Sequence, residues 1–202
     1  SVGIYRIAKA LNRKAHIVVD EVNASVRPLK ERFYTNDYDD DMLVSGEEAV
    51  RLVDETTLLV IVDVNKGEHT ECPELIELAQ SIVVIDHHRQ AGDAIAKAVL
   101  FYIEPYASSA SEMVAEICQY IGGGLKLRAA EAEALYAGVM IDTNYFTDKT
   151  GVRTFEAMAY LKRNGADSVR IRKMFREDIN EYKIQAEAIQ NTELYLDRKS
   201  VV

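Results

Sequence analysis

The residues best suited to chemistry form a short run, Asp86, His87 and His88, directly after an apolar segment. The four residues of that segment, 82–85, are all β-branched and apolar, which is typical of a strand buried on both faces of a parallel sheet. Ligands of open α/β sheets bind just beyond the carboxyl ends of the strands. A single histidine at such a place would more often be an exposed polar residue. One carboxylate followed by two imidazoles favours a metal site or a catalytic site.

Two further acids are expected at the same place. Asp63 follows a second apolar segment, Leu58–Val62, and one strand-helix-strand crossover leads from there to Asp86. Since right-handed crossovers bring the ends of neighbouring parallel strands to one edge, Asp63 should face the crevice of the two histidines. Asp142 ends a helical segment rich in small and apolar residues, and it should enter the same crevice.

The donor types of this set restrict the cation that it could bind. Structural zinc would favour cysteine ligands, and calcium would favour oxygen ligands alone. Imidazole combined with carboxylate suits Mn²⁺, Fe²⁺, Co²⁺ or catalytic Zn²⁺. A carboxylate flanked by other carboxylates can also bridge two cations ~3.5–4 Å apart, an arrangement that hydrolyses phosphate esters. The residues alone therefore predict a metallohydrolase.

Composition excludes several classes of protein. The chain has 202 residues, enough for one large domain with a real core, and no apolar run approaches the ~18–20 residues of a membrane span. A formal charge of −9 argues against binding long duplexes, but bound cations would still allow a small phosphorylated substrate. The two widely separated cysteines, Cys72 and Cys118, suit a reducing compartment and hence a cytoplasmic location.

The fold expected from the segment order is α/β, with a doubly wound, mainly parallel sheet and a helical C-terminal flank over 168–195. Apolar segments predicted as strands alternate with helical segments along the chain. Six residues are predicted to lie in the core because they come from strands buried on both faces. They are Val18, Leu59, Ile61, Val83, Ile85 and Leu100.

Two polar segments allow more than one interpretation. The segment 107–112 opens a helix, and either Ser109 with Glu112 or Ser108 caps it. Several hydroxyls at a helix N-terminus could also hold a phosphate, although capping explains any single serine. The glycines 122–124 are not a phosphate loop, because no strand precedes them and no Lys-Ser/Thr pair follows them.

Three motifs resemble those of the DHH phosphoesterase superfamily. They are 62–65 (Val-Asp-Val-Asn), 85–89 (Ile-Asp-His-His-Arg) and 138–143 (Gly-Val-Met-Ile-Asp-Thr), in the family's order. Within that superfamily, segments 102–112 and 150–157 look most like the cyclic-di-AMP phosphodiesterases of the GdpP/YybT type. The resemblance covers nearly the whole chain.

The resemblance implies a site for two manganese ions in the intact family enzyme. It implies that Asp63 is the bridging carboxylate, while His87 and Asp142 ligate one metal. By the same resemblance Asp86 supports the histidine. His88 corresponds to a histidine near the scissile phosphate, which implies phosphate contact or proton donation.

Four residues are candidates for substrate binding. The resemblance suggests Arg89 and Arg153 for neutralising phosphate charge. Ser108 and Ser109 come from the helix N-terminus described above, where hydroxyls could contact a phosphate.

Some features of the family pattern are missing. The first family motif, His-x-x-x-Asp-x-Asp, is absent, and so is a companion domain with a Gly-Gly-Gly-His loop. Asn65 stands where relatives often carry histidine. We therefore expect residues 1–178 to be an N-terminally truncated DHH domain, followed by a helical arm or linker over 179–202. We also expect this chain to bind at most one Mn²⁺ firmly and to hydrolyse phosphodiesters poorly.

The expected function is metal-dependent hydrolysis of cyclic di-AMP to linear pApA. The alternatives are an oligoribonuclease or nucleotide phosphatase of the same superfamily and a non-catalytic nucleotide-binding module. The expected partners are a cyclic or short linear dinucleotide and a second copy of the chain in a homodimer, with no long nucleic acid. By the resemblance, the full-length bacterial protein would be anchored at the inner face of the membrane through segments outside this chain.

Overall fold

The structure, a computed structural model, describes residues 1–20, 27–35, 37–89, 95–122 and 124–175, together with 187, 189–190, 193–194 and 200–201. The first elements are α1 (Val2–Ala10), β1 (Ile17–Val18), α2 (Arg27–Glu31), β2 (Leu43–Val44), α3 (Gly46–Leu52), β3 (Leu58–Val62), a 3-10 turn (Gly67–His69), α4 (Glu74–Leu78) and β4 (Ser81–Asp86). They are followed by β5 (Ala98–Ile103), α5 (Ala110–Tyr120), α6 (Ala129–Asp142), α7 (Val152–Arg163), α8 (Ser168–Met174), β6 (Glu193–Leu194) and β7 (Ser200–Val201).

The strands β3, β4 and β5 form a parallel sheet in that order, and β1 and β2 form a separate parallel pair. Alternate residues of β4 pack on opposite faces of the sheet. Val84 lies in a buried cluster with Ile76 of α4, whereas Ile85 lies in one with Met113 of α5. Helices thus cover both faces, as an apolar parallel sheet requires. The predicted α/β class with mainly parallel strands is confirmed. The parallel strands β1 to β5 are divided between two sheets.

The largest buried cluster joins α5, α6 and α7 and does not include the sheet strands as buried members. In α6 the residues on most sides are apolar or small, so the helix is buried nearly all round. Gly138 of α6 lies so close to Ser111 of α5 that a Cβ at this position would overlap the serine hydroxyl. This close approach of α5 and α6 fixes the position of Asp142, the last residue of α6.

Serine side chains cap the N-termini of two helices, α3 and α5. Ser45 and Glu48 form a capping box at the start of α3, in which the Glu48 amide donates to Ser45 Oγ over 3.2 Å. Ser109 caps α5 by accepting from the Glu112 amide over 3.0 Å. Of the two alternatives for this helix, Ser109 is therefore the N-cap.

The predicted core needs one correction. Ile61 and Ile85 are buried, and Val18, Leu59 and Val83 are partly buried. Leu100 is 55% exposed, so its assignment to the core was wrong. Its strand β5 pairs with β4 alone among the described strands and lies at the edge of the sheet, where apolar residues are less covered than in a central strand.

The C-terminal flank is described only in part. α8 is helical as predicted, but residues 176–186 lie outside the described residues. Glu193–Leu194 and Ser200–Val201 form a short antiparallel strand pair within the segment 179–202, which was predicted as a helical arm or linker. No helix in the described parts of the chain combines the length and apolar character needed to cross a membrane.

Candidate metal centre

The ends of β3 and β4 lie side by side at one edge of the sheet. Val62 pairs with Ile85, and the Asp63 amide donates to the Ile85 carbonyl over 2.9 Å. Asp63 has φ +77°, in the left-handed region that aspartate adopts less readily than glycine. A backbone conformation of this kind costs about 1–3 kcal/mol and is found most often at functional sites. Here it turns the chain out of the strand immediately after the sheet edge.

His87 connects the acids of the site. Its Nε2 lies 3.4 Å from Asp63 Oδ1 and 3.9 Å from Asp142 Oδ2, and its side chain is only 9% exposed. Atoms that bind one cation at about 2.1 Å each lie roughly 3.0–3.5 Å apart. His87 therefore lies close to both acids, and movement of Asp63 and Asp142 toward its Nε2 would let the three side chains hold one divalent cation. The predicted convergence of Asp63, His87 and Asp142 is present.

The electrostatics of the cluster favour a cation. Burial raises the pKa of the Asp142 carboxyl, and the nearby Asp63 carboxylate raises it further. A hydrogen bond to Asp63 is the largest cause that raises the pKa of His87. The charge of Asp63 contributes to both shifts, while burial is the larger cause of the raised pKa of Asp142. A divalent cation would replace the proton on His87 and compensate that charge.

Asp86 is fully buried and its carboxylate is occupied by donors from the protein. Oδ1 accepts from the His87 amide at 2.8 Å and from the His88 amide at 3.2 Å, and it lies 2.8 Å from His88 Nδ1. Oδ2 accepts from Asn65 Nδ2 at 2.7 Å. Donor atoms of Asp63, Asp86, His87 and His88 all lie within 4.8 Å of one another. Asp86 is nevertheless the poorer ligand of the two candidate acids, because Asp142 has no comparable set of hydrogen bonds in the described contacts.

His88 is oriented by Asp86. Because a carboxylate only accepts hydrogen bonds, the close Nδ1 must carry the proton, which leaves Nε2 on the other side of the ring. The side chain is 59% exposed, and its ring rests on that of His87 with 4.3 Å between centroids. The supporting role expected of Asp86 is therefore directed at His88.

The candidate substrate-binding residues are less available than the sequence suggested. Ser108 and Ser109 are buried: the Ser108 hydroxyl donates to Glu112, and the Ser109 hydroxyl accepts from the Glu112 amide. Glu112 thus places a carboxylate at the helix N-terminus where a phosphate was considered. A direct contact of either serine with substrate would require these bonds to open.

The two arginines differ from each other. Arg153 forms a double hydrogen bond with Glu116, at 2.9 and 2.7 Å, and lies 3.5 Å from Glu104. These carboxylates already compensate its charge. Arg89 is exposed, one residue after His88, and is the better placed of the two to meet a phosphate.

Sequence reasoning missed the functional position of two residues. Asn65 was noted only as a departure from the family pattern, yet it is buried against Asp86. Glu116, which binds Arg153, follows helical spacing from Glu112 but gives no signal of its own in the sequence. Asn65 could have been found from its place two residues after Asp63, beyond the end of the same strand.

The amino-acid sequence of the chain is similar to a family model and to several known proteins. Residues 1–139 match the family model described as the DHH family, N-terminal domain. The cyclic-di-AMP phosphodiesterase GdpP of Bacillus subtilis is 38% identical over 203 residues, which cover all of this chain and 31% of that protein. A probable manganese-dependent inorganic pyrophosphatase of Thermotoga maritima is 35% identical over 99 residues, 49% of this chain and 18% of that protein.

A solved structure shows the same fold. The exopolyphosphatase-related protein of Bacteroides fragilis superposes with a TM-score of 0.79 at 21% identity, over 98% of this chain and 58% of that one. The chain spans about a third of the length of the curated cyclic-di-AMP phosphodiesterases that it matches. Because the family model matches more than half of the residues, including the Asp-His-His motif, the chain belongs to the DHH family.

Proposed function

We propose that this chain carries metal-binding residues of a phosphodiesterase that hydrolyses cyclic di-AMP to linear pApA. Membership of the DHH family and relatives named as phosphodiesterase and pyrophosphatase support phosphoester hydrolysis. The observation that carries the proposal is the convergence of Asp63, His87 and Asp142 at one sheet edge. Two carboxylates and one imidazole suit a divalent cation, and we propose Mn²⁺.

When bound, the cation would neutralise phosphate oxygens and activate water at neutral pH. The chain's own residues would do the remaining work. Asp63 and Asp142 supply the negative charge that retains the cation, and His87 fixes the distance between them. Arg89 is exposed and follows His88 in the sequence, and we propose that it pairs with a phosphate oxygen that the cation leaves uncompensated.

His88 is suited to moving a proton. Asp86 holds its Nδ1–H, so Nε2 is the nitrogen that can give a proton to the leaving oxygen or take one from water. The imidazole is exposed enough to meet a substrate. We propose His88 as the general acid, with Asp86 stabilising the protonated ring.

The substrate proposal rests on relatives. Two curated relatives that match the full chain are named cyclic-di-AMP phosphodiesterases, and the formal charge of −9 makes a long nucleic acid a poor partner. The pyrophosphatase relative favours inorganic pyrophosphate as the second candidate substrate.

A turnover comparison tests the proposal. The intact protein that contains this chain would be loaded with Mn²⁺ and given cyclic di-AMP, linear pApA or pyrophosphate at equal concentration. We expect the highest kcat/KM for cyclic di-AMP with pApA as product. A preference for pApA or pyrophosphate would assign the site to the alternative class. Binding of cyclic di-AMP without any product would indicate a non-catalytic module.

A further inference from the structure

Asn65 makes a buried contact with the Asp-His-His motif from a different strand. Its side chain is buried beyond the end of β3, and its Nδ2 lies 2.7 Å from Oδ2 of Asp86, the last residue of β4. The carboxylate can only accept, so the NH₂ group of the amide must face it. The orientation of the amide is thereby fixed by chemistry.

This contact completes the hydrogen bonds of a buried charge. An ionised carboxylate offers about four acceptor positions. Three donors, the amides of His87 and His88 and His88 Nδ1, share the acceptor positions of Oδ1. Asn65 is the partner of Oδ2. A buried carboxylate is tolerated only where hydrogen bonds replace its hydration, so each of these donors constrains its position.

The constraint passes from Asp86 to His88. The terminal torsion of aspartate is broad, so hydrogen bonds rather than rotamer preference determine which oxygen faces His88. The His88 ring is 59% exposed and packs on the His87 ring, and its hydrogen bond to Asp86 determines which nitrogen faces the carboxylate. Its direction therefore depends on Asp86, and the direction of Asp86 depends on a donor at Oδ2.

We propose that Asn65 is a positioning residue that locks the Asp86 carboxylate toward His88, keeps His88 in its Nδ1–H form and keeps Asp86 from ligating the metal. Asn65 acts through Asp86 and touches neither metal nor substrate. The consequence for turnover rests on the proposed function, whereas the consequence for the His88 ring does not.

Three variants of the intact protein test this inference. Asn65→Leu has a similar size but no donor, and Asn65→His restores a ring N–H that can reach a carboxylate. Asn164→Leu is the matched control, because the Asn164 side chain also bonds within the protein. It accepts from the Leu127 amide and donates to the Tyr160 carbonyl at the C-terminal end of α7. Steady-state kinetics with cyclic di-AMP, metal content and ¹⁵N NMR of the histidine rings would be measured. This chain contributes four histidine rings to these spectra.

For Asn65→Leu we expect kcat to fall about 10–100-fold, as is common when a partner of an active-site side chain is removed, with KM changed less than about twofold. Metal content should stay at the wild-type level. In the metal-free protein the His88 ring should show both neutral tautomers instead of one. Asn65→His should recover the single tautomer and most of kcat, and Asn164→Leu should change neither.

Two results would overturn the inference: an unchanged His88 ring spectrum in folded Asn65→Leu, or an Asn65→His protein as impaired as Asn65→Leu. If the wild-type protein did not hydrolyse cyclic di-AMP, the proposed function would fail. The ring spectra would still decide the role of Asn65, since they require no substrate.

Discussion

His87 Nε2 lies 3.4 Å from Asp63 Oδ1, although the two residues follow different strands. The contact follows from the parallel register, in which Val62 pairs with Ile85 and both strands end at the same edge. Along the chain, β3 and β4 are connected by one crossover that contains α4. The candidate site therefore depends on the sheet, which makes its geometry a property of the fold.

Replacing His87 or Asp142 by alanine should remove the metal and leave the fold intact. Each side chain lies at the end of a strand or helix and faces the crevice, so truncation leaves no large core cavity of the kind that costs several kcal/mol. We expect metal content to fall at least about tenfold with an unchanged circular dichroism spectrum. His69→Ala is the control, because His69 is exposed on the 3-10 turn. Retained metal in His87→Ala would show that the ligand was misassigned.

Replacing His88 by alanine should have a different result. The His88 ring packs on His87, but its hydrogen bond goes to Asp86 and not to an expected ligand, so metal content should stay unchanged. Turnover should fall by about 10²–10⁴-fold, the usual contribution of a positioned proton donor. Metal analysis and steady-state kinetics on one preparation would separate the two effects. If His88→Ala lost its metal while His87→Ala kept it, the roles of the two histidines would have to be exchanged.

Metal affinity should rise with pH. Asp63 raises the pKa of His87, so in the metal-free protein protons compete with the metal to a higher pH than at an ordinary imidazole. Below that pKa each pH unit should increase the affinity up to about tenfold. The same shift stabilises the metal-free fold below the unfolded-state pKa, and this contribution is lost as the pH rises through the folded value. Calorimetric titration of Mn²⁺ at several pH values would measure it; an affinity independent of pH would contradict the assignment of His87.

Most of the site follows from the sequence because each of its parts is local. The strand ends are visible in the sequence, because β-branched residues are followed directly by Asp63 or by Asp86. The parallel register of the two strands then brings these ends together. The cap at Ser109 is equally local, since it involves residues three apart.

The remaining features depend on contacts between distant segments. Leu100 looks like a core residue, but no pattern in the sequence tells that β5 is the edge strand of the described sheet. Arg153 looks available for phosphate until α5 places Glu116 beside it. The proposed role of Asn65 depends on its contact with Oδ2 of the fully buried Asp86, which no local pattern in the sequence indicates.

The buried pair of Arg6 and Glu131 should matter more for stability than for activity. Arg6 Nε lies 2.9 and 2.8 Å from the two oxygens of Glu131, which is fully buried on α6. Arg6→Met leaves that carboxylate without its counter-charge, and we expect a loss of about 3–5 kcal/mol in the free energy of unfolding. Arg6→Met combined with Glu131→Gln should lose less, because glutamine can still accept from the Arg128 amide.

Denaturant unfolding of the two proteins would test this expectation. Lys9→Met is the control, since its pair with Asp39 is largely exposed and should contribute no more than about 1 kcal/mol. A double variant less stable than Arg6→Met would show that the carboxylate itself stabilises the fold.

One measurement tests the central claim most directly: the rate at which the intact protein hydrolyses cyclic di-AMP. It would be measured for the wild type and for Asp63→Asn, each with Mn²⁺ and with a chelator. Asparagine has nearly the same shape as aspartate but lacks the charge that would hold the cation beside His87. We expect pApA to form only with Asp63 and Mn²⁺ together, and chelator or Asp63→Asn alone to reduce the rate at least about 10³-fold. Equal rates in chelator and Mn²⁺, or full activity of Asp63→Asn, would contradict a metal-dependent phosphodiesterase site at this edge of the sheet.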